Sequence, residues 1–375
     1  MSMEFIKPGT NLNFIGNRYY AFIVSGLLIL LSLLSIIYFR GLNLGVDFKG
    51  GLLLQVRLAE DPGVETLRSS LAAAELDVSS LQKFGESGDN EYLINISSGV
   101  SREGRSLSQT TIDVLKEALG ADKVEVRREE MVGPKVGQDL RQKALYAIYY
   151  SILIIIIYIS GRFEQKWWTS AFFVAILLGV IYVVGLFGVG VGTLIIVALV
   201  VTLITCYILK FSFALGGILA LMHDVIITAG IFSLLNKEIT LSFVAAILTI
   251  IGYSLNDSII VFDRIRENSR KNRRANLADL INRSINETLS RTILTSGTTL
   301  LALLSLYFLG GPVNRDFALA LIIGIGVGTL SSIFIASPIL LLWEKKKSPS
   351  DSVTGKKSPP AVDQDKPPLG LQKSQ

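Results

Sequence analysis

The stretch "IGYSLNDSIIVFDRIREN", residues 251–268, sets Asn256 and Asp257 inside an apolar run that ends in a charged cluster. A carboxyl group in a run fit for lipid can bind and release a proton. Arg291 opens the next apolar run, in "LSRTILTSGTTLL" (289–301). At about 1.5 Å per residue, Asp257 is expected roughly 9 Å from one membrane face and Arg291 about 6 Å inside the same face. Helices joined by a loop on that face run antiparallel, so the spacing allows an Asp257–Arg291 pair. Either charge alone would cost about 2.5–3.5 kcal/mol in lipid. Burial and a nearby guanidinium act in opposite senses on a carboxyl's protonation. One charge moved through 100 mV is worth about 2.3 kcal/mol, enough to bias a helix rearrangement. The pair therefore reads either as a proton-coupling site, with Asn256 beside it, or as a static ion pair. Arg291 could equally snorkel to headgroups.

Ser254, Asp257, Ser258 and Val261 share one helical face, and Arg291, Thr295, Thr298 or Thr299 recur at three- and four-residue spacing. That predicts a polar stripe able to hold water. Hydroxyls bonded to their own backbone or between helices are the plainer account of the Ser and Thr residues. His223 and Asp224, mid-run in "ALGGILALMHDVIITAG" (214–230), form a second ionisable pair. With Thr295 they are secondary polar sites, or else inter-helix glue. Asp263, Arg264, Arg266 and Glu267 read as a solvated helix end. Gly216, Gly217, Gly252, Gly297, Gly324, Gly326 and Gly328 predict close helix packing. His223 is the sole histidine and Cys206 the sole cysteine, so a multi-histidine metal site and an internal disulfide are excluded. No P-loop, metal spacing or nucleophile–base pair is present. No catalytic residue, metal or cofactor is expected.

The elements that must hold these residues are membrane helices. Half of the 375 residues are hydrophobic, and a span needs about 20 mostly apolar residues. Eight runs qualify: 20–39, 142–160, a hairpin at 170–187 and 193–209, then 213–235, 239–262, 290–309 and 317–342. The first lacks a small-residue cleavage site and reads as a retained span. The net charge of +5 reflects Lys and Arg at the ends of runs, so it speaks of topology and not of nucleic acid. With alternating spans, the basic residues fall on one side, and the positive-inside rule makes that side cytoplasmic. Residues 1–19 are then a cytoplasmic N-terminus, 142–343 a transmembrane bundle, and 344–375 a disordered cytoplasmic tail. Residues 41–140 form the soluble domain, on the opposite side. There "GLLLQVRL", "VSSLQKFGE", "NEYLINISS" and "KVEVRREEM" read as strands, with a Gly-Asp-Asn turn between the second and third. "PGVETLRSSLAAAELD" and "GRSLSQTTIDVLKEALG" read as helices. The order β-α-β-β-α-β is that of a ferredoxin-like split motif. "GVDFKGG" (45–51), with Asp47, Gly50 and Gly51, precedes the first strand as a tight backbone path.

Together "FIGNRYY", "GVDFKGG", "VGPKVGQDLRQKAL", "HDVIITAGIFSL", "IGYSLNDSIIVFDRIREN", "LSRTILTSGTTLL" and "GIGVGTLSSIFIAS" resemble the SecF family of protein-export membrane subunits, over about residues 12–165 and 211–343. The resemblance implies the resistance–nodulation–division arrangement, six spans plus one ferredoxin-like α+β extracytoplasmic domain. It implies SecD as a heteromeric partner, work beside SecYEG and SecA on a translocating unfolded preprotein, and use of the proton-motive force after the SecA-driven step. Asp257 and Arg291 match the family's transmembrane acid and base, and Asp47, Gly50 and Gly51 its signature at the start of the soluble domain. The expected location is a bacterial plasma (inner) membrane, or also a thylakoid in a cyanobacterium. Residues 170–209 depart from the pattern as an extra apolar hairpin, with a re-entrant or interfacial arrangement as the alternative. An assembly subunit without proton flux remains the alternative function. A small-molecule exporter half would need larger soluble domains.

Overall fold

The computed structural model describes residues 11–84, 90–99, 106–186, 189–272 and 274–345. Most of the expected turn at 88–90 and of the tail from 344 lies outside these residues.

The soluble domain holds four strands: β1 (Gly51–Leu58), β2 (Leu76–Phe84), β3 (Glu91–Gly99) and β4 (Val124–Val132). The sheet order is β2-β3-β1-β4 and every pair is antiparallel. With α3 (Val64–Ala73) after β1 and α4 (Leu107–Leu119) after β3, this is the ferredoxin-like split motif. Alternation along β1 drives it. Leu52, Leu54, Val56 and Leu58 are buried against Leu67 and Leu71 of α3 and Leu115 of α4. The register sets Leu52 opposite Ile96 and Leu54 opposite Ile94 on the same face. A capping box of Ser106 and Gln109 starts α4, and Gly120, at φ +100°, ends it. The other sheet face, with Leu53, Gln55, Leu93 and Asn95, looks onto the membrane bundle across a cleft of about 540 Å³.

The bundle is built from α1 (Arg18–Leu34), α5 (Pro134–Glu164), α6 (Trp167–Gly185), α7 (Val191–Ile208), α8 (Ser212–Leu234), α9 (Leu241–Lys271), α10 (Leu277–Leu309), α11 (Gly311–Ser331) and α12 (Ser337–Lys345). Two π-helical turns, Ser35–Phe39 and Ser332–Ala336, extend α1 and join α11 to α12. Among the described residues, seven segments are long and apolar enough to cross a membrane, and Gly192–Ile208 is a shorter apolar helix. The extra hairpin is therefore α6 and α7. At 18 residues, α7 extends about 27 Å, close to the hydrocarbon thickness of about 30 Å. The hairpin turns tightly off α5. A Cβ on Gly161 would stand 2.1 Å from the Trp167 ring, and Lys166 Nζ donates to the Leu209 carbonyl at 3.1 Å. Trp168, Phe172 and Tyr182 project outward.

Helices α8, α9, α10 and α11 form the centre. Gly216 meets the Ala336 carbonyl, Gly217 meets Ile159, Gly324 meets Ile250 and Gly328 meets Ser254, each as the expected close packing requires. Gly252, Gly297 and Gly326 face open space, so they make no such contact within this chain. The expected span 290–309 is the second half of a longer helix. With 31 and 33 residues, α9 and α10 are about 46 and 50 Å long and overrun the hydrocarbon layer. Their overrunning ends are zipped by Asn268, which donates to Ser284 at 3.0 Å and to Glu287 at 2.8 Å.

Candidate functional site

Two carboxylates are buried where these helices meet. Asp224, on α8, is fully buried. Its Oδ1 lies 2.9 Å from His223 Nδ1. Its Oδ2 accepts from Ser254 Oγ of α9 at 2.6 Å and from Ser331 Oγ of α11 at 2.8 Å. Gly328 makes room for this knot: a Cβ there would stand 3.3 Å from Asp224 Oδ2 and 3.1 Å from Ser254 Cβ. His223 is buried too, and its Nε2 has no hydrogen-bond partner.

Asp257 sits one turn beyond Ser254 on α9 and is 1% exposed. Its Oδ2 accepts one long hydrogen bond, from Ser296 Oγ of α10 at 3.3 Å. Its Oδ1 has no partner. Thr329 Oγ1 of α11 lies 2.8 Å from Ser296 Oγ. One turn before Ser296, the buried Thr292 hydroxyl is also unpartnered. Ser254 of α9 and Ser331 of α11 thus bond Asp224, whereas Thr329 of α11 reaches Asp257 only through Ser296. A carboxyl group with one weak acceptor contact and one bare oxygen can change protonation with little loss of hydrogen bonding. One tied by three partners cannot. Among the described residues, no group of three or more His, Cys, Asp and Glu could hold a metal ion.

The expected Asp257–Arg291 pair is not formed: no ion pair within 4 Å joins them. Arg291 is exposed. The register explains why. Asn268 opposite Ser284 brings Asp257 level with Ser296, and Arg291 lies five residues back. That is about 7.5 Å along the axis and about 140° around it. The expected depth counted α10 from Glu287, whereas the helix starts at Leu277. Asn256, next to the buried acid, points the other way and is exposed. It lines an open groove of about 690 Å³ with Arg291, Arg162, Arg264 and Glu287. Thr295 is half-buried, and its hydroxyl bonds back to the Arg291 and Thr292 carbonyls. The inward face of α10 is Thr288, Thr292 and Ser296, one position on from the expected Arg291–Thr295 stripe. Ser296, Thr329 and Ser331 were missed as site residues. The spacing of Gly324 and Gly328 marks the α11 face that carries Ser331, whereas Thr329 lies about 100° round the helix from Gly328.

Charges beyond the overrun pair with one another, as a solvated helix end should. Arg162 meets Asp263 at 2.5 Å, and Arg264 meets Glu287 and Glu267, each at 2.6 Å. At the opposite end, Gly50 (φ +79°) and Gly51 (φ +137°) need their lack of a side chain. A Cβ on Gly51 would stand 2.3 Å from the Ile96 carbonyl, and one on Gly50 2.9 Å from Pro134. Asp47 Oδ2 accepts from the Leu241 N–H at 2.8 Å.

The family model "Protein export membrane protein SecD/SecF, C-terminal" matches residues 111–205 and 189–346, and "SecD/SecF GG Motif" matches 35–61. The protein translocase subunit SecF of Desulfurispirillum indicum is 40% identical over 335 residues, covering 88% of this chain and 90% of that protein. The one of Escherichia coli O157:H7 is 37% identical over 329 residues, covering 88% and 87%. The crystal structure of SecDF, a translocon-associated membrane protein from Thermus thermophilus, superposes with a TM-score of 0.68 at 34% identity. It is matched over 90% of this chain, which spans 39% of that longer one. The buried acids, the glycine pair and matches of this extent together make the chain a multi-pass membrane member of the SecD/SecF protein-export family, of the SecF kind.

Proposed function

We propose that this chain works with SecD, beside SecYEG and SecA, to assist preprotein translocation with the proton-motive force after the SecA-driven step. Asp257 is the proton-binding group. The observation that carries this reading is its burial at mid-helix with one oxygen unpartnered and the other held by a single 3.3 Å contact. Proton uptake there would cost little hydrogen bonding, and the bond to Ser296 would couple α9 to α10. The domain of residues 41–140 lies outside a bacterial plasma membrane, or a thylakoid in a cyanobacterium, with both termini in the cytoplasm. The test is export into membrane vesicles under an imposed proton gradient. Asp257→Asn should lower the gradient-dependent part about ten-fold or more, in line with the roughly 2.3 kcal/mol that one charge gains from 100 mV. An unchanged gradient response would end the proposal.

A second reading rests on a different observation. Asn256 and Arg291 are exposed at a groove along α9 and α10, and Arg291 has no ion pair. A guanidinium in that position suits registration against a second membrane subunit without proton flux. On that reading Asp257→Asn leaves coupling intact, and Arg291→Gln lowers recovery of SecD in co-purification at equal expression.

A further inference from the structure

The glycine-pair segment does more than start a strand. Asp47 belongs to a short helical turn, α2 (Val46–Lys49), and accepts from the N–H of Leu241, the first residue of α9, 194 positions later. The first turn of a helix presents unpaired N–H donors, and an anion is favoured at that end. α9 has its own cap, the Thr240 hydroxyl, which accepts from the Phe243 N–H at 3.3 Å. Asp47 is thus an additional cap, supplied from outside the helix.

Three further contacts fasten the same place. Ile239 N–H donates to the Asn43 carbonyl at 2.7 Å, and Gly45 N–H donates to the Ile239 carbonyl at 2.9 Å. Asn95 of β3 donates through Nδ2 to both oxygens of Glu238, at 3.0 and 2.9 Å. Asn95 is 2% exposed. Phe48 plugs into the apolar core of the bundle. Residues 43–48 and the centre of the sheet therefore grip the connector 238–241 by backbone, side chain and cap. From Leu241, sixteen residues of unbroken helix, about 24 Å, lead to Asp257.

We propose that Asp47 is a positioning residue that joins the soluble domain to α9, so that the two move as one lever with Asp257 on its arm. This rests on the proton-site reading above for its role in transport, and on geometry alone for the join. The lever has no hinge between residues 43–47 and 238–241. Motion of the soluble domain reaches the acid as a displacement of α9 against α10 and α11.

The test separates the join from the transport. Hydrogen exchange of the Leu241 amide in the full chain needs no gradient. Asp47→Ala should raise it about five-fold, the effect of losing one side-chain cap, and Asp47→Asn, which keeps an acceptor oxygen, should not. Equal exchange in wild type and Asp47→Ala overturns the join whatever Asp257→Asn does. In vesicles, Asp47→Ala should lower gradient-dependent export several-fold and leave gradient-independent export unchanged, with Asp47→Asn restoring at least half. An Asp47→Asn that behaves as Asp47→Ala overturns the positioning role. The absence of a hinge is tested by Gly45→Cys with Thr240→Cys. A Cβ at Gly45 would stand 3.1 Å from Thr240 Cγ2, within disulfide reach, and the native Cys206 is buried. The oxidised pair should support gradient-dependent export to within about two-fold of the reduced one, because a lever without a hinge there loses nothing. Export that stops on oxidation and returns on reduction overturns the lever.

Discussion

Asp224 and Asp257 are a natural pair for comparison. Both are almost fully buried, both belong to the α8–α11 centre, and each accepts from a hydroxyl of another helix, Ser331 of α11 for Asp224 and Ser296 of α10 for Asp257. Asp224 is bound by His223, Ser254 and Ser331, and Gly328, with no side chain, gives this cluster its room. Asp257 has Ser296 alone, at 3.3 Å. Depth does not separate a structural acid from a working one, but the number and quality of its partners do. A fully partnered carboxylate pins three helices and resists change. An under-partnered one is costly to bury, and a protein keeps such a group where its change of state has a use.

The largest effect should come from emptying the well-partnered site. Asp224→Ala strands the Ser254 hydroxyl and His223 Nδ1 in the buried core, while the Ser331 hydroxyl keeps the Gly328 carbonyl at 3.0 Å. At about 1 kcal/mol or more for each of the two unsatisfied groups, the loss is roughly 2 kcal/mol. It should appear in detergent as a lower thermal midpoint or as lost folded protein. Asp257→Asn, which strands no such set, should stay within about 1 kcal/mol of wild type by the same measurement while losing gradient-dependent export. If the two substitutions destabilise equally, the distinction between the sites fails.

How much of this was legible beforehand follows from what each residue type can signal. A carboxylate inside an apolar run is costly wherever it points, so Asp224 and Asp257 stood out from the sequence alone. A hydroxyl carries no such mark, because Ser and Thr can bond their own helix backbone. Thr295 and Thr298 do that, to the carbonyls of Arg291 and Leu294, whereas Ser296, between them, reaches Asp257. The 3.6-residue period fixes that some stripe faces inward but not its rotation, which is set by where α10 begins and how Asn268 meets Ser284. The soluble domain was easier. Alternation along β1 has period two, and only one phase buries Leu52, Leu54 and Val56 together. Asp47 at the head of α9 was out of reach, since nothing local in "GVDFKGG" points to a residue 194 positions away.

Arg291 sharpens the comparison from outside. If Asp257 were held by a guanidinium of its own chain, Arg291→Gln would release a buried charge and cost several kcal/mol. With Arg291 exposed and no ion pair formed, the expected change in thermal stability of the purified chain is below about 0.5 kcal/mol. Its effect should instead be on recovery of the second subunit in co-purification. A large loss of stability in the isolated chain would show that the two groups meet in a conformation other than this one.

The smallest effect concerns a third acid, which has the partners of Asp224 but stands in water. Asp61, in the soluble domain, is bonded by Lys83 Nζ at 2.7 Å, by the Tyr92 hydroxyl and by the Gly63 N–H at 3.0 Å. Lys83 first, then Tyr92 and Gly63, hold its carboxyl down to about 2. Burial, then the neighbouring Asp61, pushes the Tyr92 hydroxyl up to about 12. The signs follow from linkage. The depressed acid contributes stability above its ordinary value near 4, and that contribution fades as pH falls toward 2. The raised phenol contributes below its ordinary value near 10, and that contribution fades as pH climbs toward 12. Amide exchange protection along β3 in the full chain should therefore be flat between those limits and fall at each. Asp61→Asn should remove the acid-side fall and flatten part of the alkaline one, and Tyr92→Phe should remove the alkaline fall. Because Asp61 is half-exposed, the gain from its partners is screened, and the shift at neutral pH should be the smallest of those described. A large loss at pH 7 in Asp61→Asn would mean that the number of partners decides an acid's importance even in water, and the contrast between Asp224 and Asp257 would then need no appeal to burial.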